Sequence, residues 1–206
     1  HIYDVPRGEI QQRAERLLSF AGLSEFHNRR AGHLSGGMQK KLGLACTLIH
    51  QPKILLLDEP TTGVDPISRR EFWNILTDLH LDGTTIVVST PYMDEADRCS
   101  RVGMMYEGEL VICDTPKNIR AEIQGEMLEL TLNEWQTAKT LTENLPGVLE
   151  VQTYGEALHL LVDSGKKRLP QIKRTLSRNG IKFRDVRLAP IRMEEAFISF
   201  IRRLED

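Results

Sequence analysis

Leu34-Ser35-Gly36-Gly37-Met38-Gln39 and Ile54-Leu55-Leu56-Leu57-Asp58-Glu59-Pro60 are the stretches from which the rest of the chain is read. In the second, consecutive large apolar residues run between Pro52 and Pro60. This is the pattern of a strand buried on both faces in the middle of a parallel sheet, which makes the fold class α/β. Two adjacent carboxylates follow where that strand ends. Open α/β sheets bind ligands at the carboxyl ends of their strands, so Asp58 and Glu59 are expected to project into a site. An aspartate there can hold Mg²⁺, directly or through water, and the next carboxylate can polarise an attacking water. The same Asp-Glu pair, taken in isolation, also fits a solvated turn.

The first stretch narrows the choice. After Ser35-Gly36-Gly37, the apolar residues Met38, Leu42, Ala45 and Ile49 recur at helical spacing. A helix is expected to begin there with Ser35 as its N-cap. Its free backbone N–H groups and positive dipole end suit a phosphate, and glycines permit close approach of the backbone. A Ser-Gly-Gly turn alone is most often only a cap.

Taken together, the residues resemble a known family. Leu34 to Gln39 resembles the signature motif of ATP-binding cassette (ABC) ATPases, and Ile54 to Glu59 resembles their Walker B strand. Thr62-Gly63-Val64-Asp65 resembles the D-loop at the expected distance, and the agreement in order and spacing extends from about residue 9 to residue 124. The resemblance implies a P-loop NTPase domain that binds ATP with Mg²⁺. It assigns Glu59 as the catalytic carboxylate, Asp58 to the metal, and Ser35, Gly36, Gly37, Gln39, Asp58 and Asp65 to the nucleotide.

One family motif departs from the pattern and one is missing. Thr90-Pro91-Tyr92-Met93-Asp94-Glu95-Ala96 resembles the switch-histidine segment, but the position that should carry an imidazole is Pro91. Proline offers neither a donor nor a charge and lacks even a backbone N–H. Two explanations stand open: an asymmetric pair of sites, one hydrolysing poorly, or another residue in place of the imidazole. No Gly-x-x-x-x-Gly-Lys-Ser/Thr loop occurs, the only Gly-Lys pair being Gly165-Lys166. In the family that Walker A loop lies upstream of the signature, so it is expected before His1, and the chain reads as the latter part of a longer protein.

Composition excludes little else. A chain of 206 residues with formal net charge -2 has no bias toward nucleic acid or anionic lipid. Cys46, Cys99 and Cys113 lack metal-ligand spacing and are expected to be buried, reduced thiols. No apolar run approaches the roughly 20 residues that cross a bilayer, so a membrane role must come through a partner.

Around the motifs, Ile10, Ala14, Leu17, Leu18 and Ala21 predict a helix closed by Gly22. Arg29, Arg30 and His33 are expected in solvated loops. Asp65-Pro66 predicts a helix start, with Asp65 as N-cap and Pro66 at the first position. Thr85 to Ser89 predicts a second buried strand, Arg101 to Cys113 a hairpin turning at Glu107-Gly108, and Thr115-Pro116 a short helix. Residues 1–124 are expected to form the ATPase part and 125–206 an accessory domain. In the latter, strands near 126–132, 148–154, 157–163 and 181–188 alternate with helices carrying Trp135, Ala138 and Leu141, then Leu169, Ile172 and Leu176. That βαββαβ order predicts a small ferredoxin-like α+β domain. A last helix offers Met193, Phe197, Phe200, Ile201 and Leu204 as one apolar face, expected to pack into the core. The accessory part resembles domains appended to the ATPase subunits of bacterial drug and antibiotic exporters.

The resemblance implies a head-to-tail sandwich with a second ABC ATPase domain, coupled to a transmembrane permease. It places the protein in the cytoplasm at the inner face of the cell membrane, with no nucleic-acid partner. A degenerate, non-hydrolysing regulatory domain and an ABC ATPase acting on ribosomes or DNA are the competing readings. Without upstream neighbours the strands at 54–57 and 85–89 leave open edges, so the fragment is expected to self-associate or to depend on its tail for solubility.

Overall fold

The computed structural model describes residues 6–205, which divide into two compact units between Tyr92 and Met93. In the first unit, α1 (Arg7–Phe20) ends at Gly22, whose φ of 68° lets the chain reverse. Two short 3-10 turns, Ser24–Phe26 and Ala31–His33, lead to α2 (Gly36–Leu48). Ala21, Leu23 and Ala45 form a buried cluster against which Leu17, Leu18, Met38 and Leu42 pack. The apolar periodicity of α1 and α2 is therefore spent on each other.

β1 (Ile54–Asp58) pairs in parallel with β2 (Thr85–Ser89), with Leu55 opposite Ile86 and Asp58 opposite Ser89. Between them runs α3 (Pro66–Leu81), which buries Phe72, Trp73, Ile75 and Leu76. The expectation that β1 is buried on both faces does not hold: Leu55 is 5% exposed, whereas Ile54 is 61%, Leu56 73% and, on β2, Val87 55% exposed. Side chains alternate across a strand. In this pair, Leu55 lies on the buried face, while Ile54, Leu56 and Val87 form an uncovered apolar row.

The second unit opens with α4 (Met93–Ala96) and a hairpin of β3 (Val102–Tyr106) and β4 (Glu109–Asp114). Glu107 and Gly108, with φ of 48° and 84°, form the tight turn that the sequence predicts. After α5 (Pro116–Ala121) come β5 (Glu126–Leu132), α6 (Trp135–Glu143), β6 (Val148–Tyr154), β7 (Ala157–Val162), α7 (Gly165–Arg178), β8 (Phe183–Ala189) and α8 (Met193–Glu205). The four strands β5 to β8 make an antiparallel sheet in the order β6-β7-β5-β8. This is the strand order of a split βαβ arrangement.

One face of that sheet builds a core from Leu128, Leu130, Leu158, Leu160, Ile172 and Leu176. On the other face, Met127 and Leu161 join Ala96, Met104, Ile119, Met193 and Ala196. This second cluster puts the hairpin and α5 in the same compact unit as the four-stranded sheet. The structural division consequently precedes the change in sequence pattern at residue 125.

α8 is also tied down by polar contacts that periodicity does not reveal. His159, 2% exposed, joins its Nδ1 to Oε1 of Glu195 on α8, itself 2% exposed. Ser199 donates to Glu150 Oε2 at 3.1 Å, and Arg202 pairs with Glu150 Oε1 at 3.1 Å. Met193, Phe197 and Phe200 pack inward as expected, but Leu204 is 58% exposed.

The cysteine expectation is corrected as well. All three are free, yet Cys46 on α2 and Cys113 on β4 are exposed, and Cys99, in the bend after α4, is half-buried. Partial burial, reinforced by Glu95, raises the Cys99 thiol pKa.

Candidate nucleotide site

Asp58 is the last residue of β1 and Glu59 the first beyond it, so both stand at the carboxyl end of the parallel pair. Glu59 has φ of 42°, a left-handed conformation that few residues other than glycine adopt. Its N–H donates to the carbonyl of Ser89 at 3.0 Å, and the Ser89 hydroxyl lies 3.1 Å from the same nitrogen. The Ser89 hydroxyl also donates to Asp58 Oδ1. Thr62 completes the turn, its hydroxyl donating to Glu59 Oε2 at 3.1 Å. Both carboxylates are exposed at the sheet rim. Their hard oxygen donors fit Mg²⁺, which prefers few carboxylates and retains several waters.

Ser35 caps α2 as predicted: its side chain accepts from the Met38 N–H at 3.3 Å. The two following glycines have different surroundings. A Cβ on Gly36 would meet only the Gly63 carbonyl oxygen, at 3.9 Å. On Gly37 it would lie 2.5 Å from Ser68 Cβ and 2.6 Å from Ser68 Oγ. Gly36 therefore leaves the helix tip open, and Gly37 is small because α3 lies against it. Gln39 braces the preceding loop, its Nε2 donating to the carbonyls of Ala31 and Leu34, each at 3.2 Å.

Asp65 caps α3, accepting from the N–H groups of Ile67 at 3.1 Å and Ser68 at 3.0 Å. The Ser68 N–H and then its hydroxyl hold the Asp65 carboxyl below its ordinary pKa, with the Ile67 N–H adding to the effect. The structure thus brings Ser35 to Gly37 against the loop and first turn carrying Asp65, while Asp58 and Glu59 gather with Ser89 and Thr62. Ser68 and Ser89 are absent from the sequence-derived set. Ser89 was discoverable as the residue ending the second strand, level with Asp58. Ser68 carries no such signal, since its role depends on the angle at which α2 and α3 meet.

Arrangement and sequence lead to one family. A family model described as ABC transporter matches residues 2–62. "Probable multidrug ABC transporter ATP-binding protein YbhF" of Escherichia coli K12 is 40% identical over 193 residues, which cover 93% of this chain and 33% of that protein. The chain belongs to the ABC transporter ATP-binding proteins. "Daunorubicin resistance ATP-binding protein DrrA2" of Streptomyces coeruleorubidus, another member, is 32% identical over 191 residues, 90% of this chain and 59% of its own length. Among solved ABC structures, cbiO1 of Clostridium perfringens, described as part of the ABC transporter complex cbiONQ, superposes with a TM-score of 0.53 at 28% identity. That superposition covers 69% of this chain and 53% of cbiO1. The chain therefore spans from a third to about three fifths of these relatives' lengths.

Proposed function

We propose that the protein carrying this chain is the ATPase subunit of an exporter, coupling ATP binding and hydrolysis to movement of a drug-like or antibiotic substrate through a membrane-spanning permease. The observation that carries this reading is the paired carboxylate at the rim of a parallel sheet, in a chain that also bears a capped, glycine-tipped helix of signature type. The names of YbhF and DrrA2 support the exporter class. Among the described residues no helix is long and apolar enough to cross a membrane, so the permease is a separate partner or another segment.

In this reading two such domains associate head to tail. The tip of α2, through Ser35, Gly36 and neighbouring N–H groups, binds the terminal phosphate of an ATP held by the partner domain. Asp58 serves the Mg²⁺ of its own site, and that ion would offset charge on the phosphate oxygens. Glu59 orients and polarises the attacking water, a contribution of roughly 10² to 10⁴ in rate. Its left-handed backbone, anchored by the Glu59 N–H donating to Ser89, and the Thr62 hydroxyl donating to Oε2 hold the carboxylate in place. Pro91 contributes no group to the terminal phosphate, so each site depends there on Glu59 and on the signature tip of the partner domain.

The reading is tested by Glu59→Gln in the full-length protein. ATP turnover is expected to fall by about 10²-fold or more, with ATP affinity within about 3-fold of the parent. Full turnover in the variant would remove Glu59 from the reaction.

A further inference from the structure

Three loops meet on the first turn of α3. The signature tip reaches it through Gly37, which stands so close to Ser68 that a methyl group in place of the glycine hydrogen would lie 2.5 Å from Ser68 Cβ. The D-loop reaches it through Asp65, which receives both the N–H and the hydroxyl of Ser68. The switch segment reaches it through Tyr92, whose ring lies under the Arg69 guanidinium at 4.9 Å. One turn further along, Lys41 of α2 pairs with Glu71 of α3 at 2.5 Å. With a steric stop at one level and an ion pair at the next, neither helix can rotate or slide without breaking a contact.

We propose that Ser68 and Arg69 are positioning residues that join the signature tip, the D-loop cap and the switch segment into one moving body. This inference rests on the reading that the signature tip grips a phosphate held by a partner domain. Displacement of α2 by that phosphate carries Ser68 with it, and Arg69 carries Tyr92, the neighbour of Pro91. Because Pro91 cannot itself hydrogen-bond to the phosphate, the segment takes its position from α3. Coupling of this kind requires contacts shared by both sites, and a double-mutant cycle measures it.

The test uses the full-length protein with Gly37→Ala, Ser68→Gly, both together, and Gly37→Ala with Ser68→Ala. ATP turnover, KM for ATP and melting temperature are measured for each. Gly37→Ala is expected to lower turnover about tenfold or more, and adding Ser68→Gly to restore it to within about 3-fold of Ser68→Gly alone. Ser68→Ala, which keeps the clashing Cβ, gives no rescue. Arg69→Ala is expected to lower kcat about 3-fold or more with KM unchanged. A double variant as slow as Gly37→Ala would overturn the proposal, since the added methyl would then act at the phosphate. Unchanged kcat in Arg69→Ala would overturn the link to the switch segment. A parent protein without ATP hydrolysis would instead sink the ATPase reading. The linkage is then decided by melting temperature, supported if Ser68→Gly recovers the loss caused by Gly37→Ala and overturned if it does not.

Discussion

Asp65 shows how one side chain serves both fold and site. Its carboxylate caps α3 and is held below its ordinary pKa by the Ser68 N–H and hydroxyl. A depressed carboxylate stabilises the folded state fully above its unfolded pKa of about 4, and that stabilisation is lost as pH falls through the lowered, folded-state value. Asp65→Ala is expected to lower the melting temperature by a few degrees at neutral pH. Asp65→Asn keeps a capping acceptor but should flatten this part of the acid dependence. Thermal melts between about pH 2 and pH 6 check both. Pro91 is the other residue whose effect is separable. Pro91→His in the full-length protein is expected to raise ATP turnover by roughly tenfold, through a donor placed at the terminal phosphate. An unchanged, substantial rate would show that the proline does not impair hydrolysis.

At the scale of elements, much of the fold was legible because each helix and strand carries its own period. Ser35, Asp65 and Thr115 cap helices where the sequence places caps, and the accessory sheet has the order that its βαββαβ pattern predicts. What escaped the sequence depends on how elements meet. The close approach of Gly37 to Ser68 follows from packing of α2 on α3, and the buried His159–Glu195 pair follows from α8 crossing the sheet. Burial of β1 departs from the expectation for a related reason: an apolar run shows that a strand can be covered on both faces, not that it is. The uncovered row of Ile54, Leu56 and Val87 has a measurable consequence. Exposed apolar strand surface favours association. The 206-residue polypeptide is expected to self-associate with rising concentration, and Leu56→Lys to reduce this by severalfold in sedimentation velocity. A monodisperse monomer with a high melting temperature would contradict it.

In the proposed assembly two chains build each site, one giving Ser35, Gly36 and Gly37 and the other Asp58 and Glu59. Two such sites, related by a two-fold axis, close an isologous dimer in which the helix tip of each chain meets the carboxylates of the other. Complementation between two inactive full-length variants tests this most directly. Ser35→Arg obstructs the signature tip and leaves Glu59 intact, whereas Glu59→Gln does the reverse. Each variant alone is expected to hydrolyse ATP about 10²-fold more slowly than the parent. In a dimer containing one of each, one composite site has both intact halves. Random pairing of equal amounts should therefore restore roughly a quarter of parental turnover, if the two sites work independently. Recovery toward that level is the predicted result, and a mixture no faster than either variant alone would contradict it.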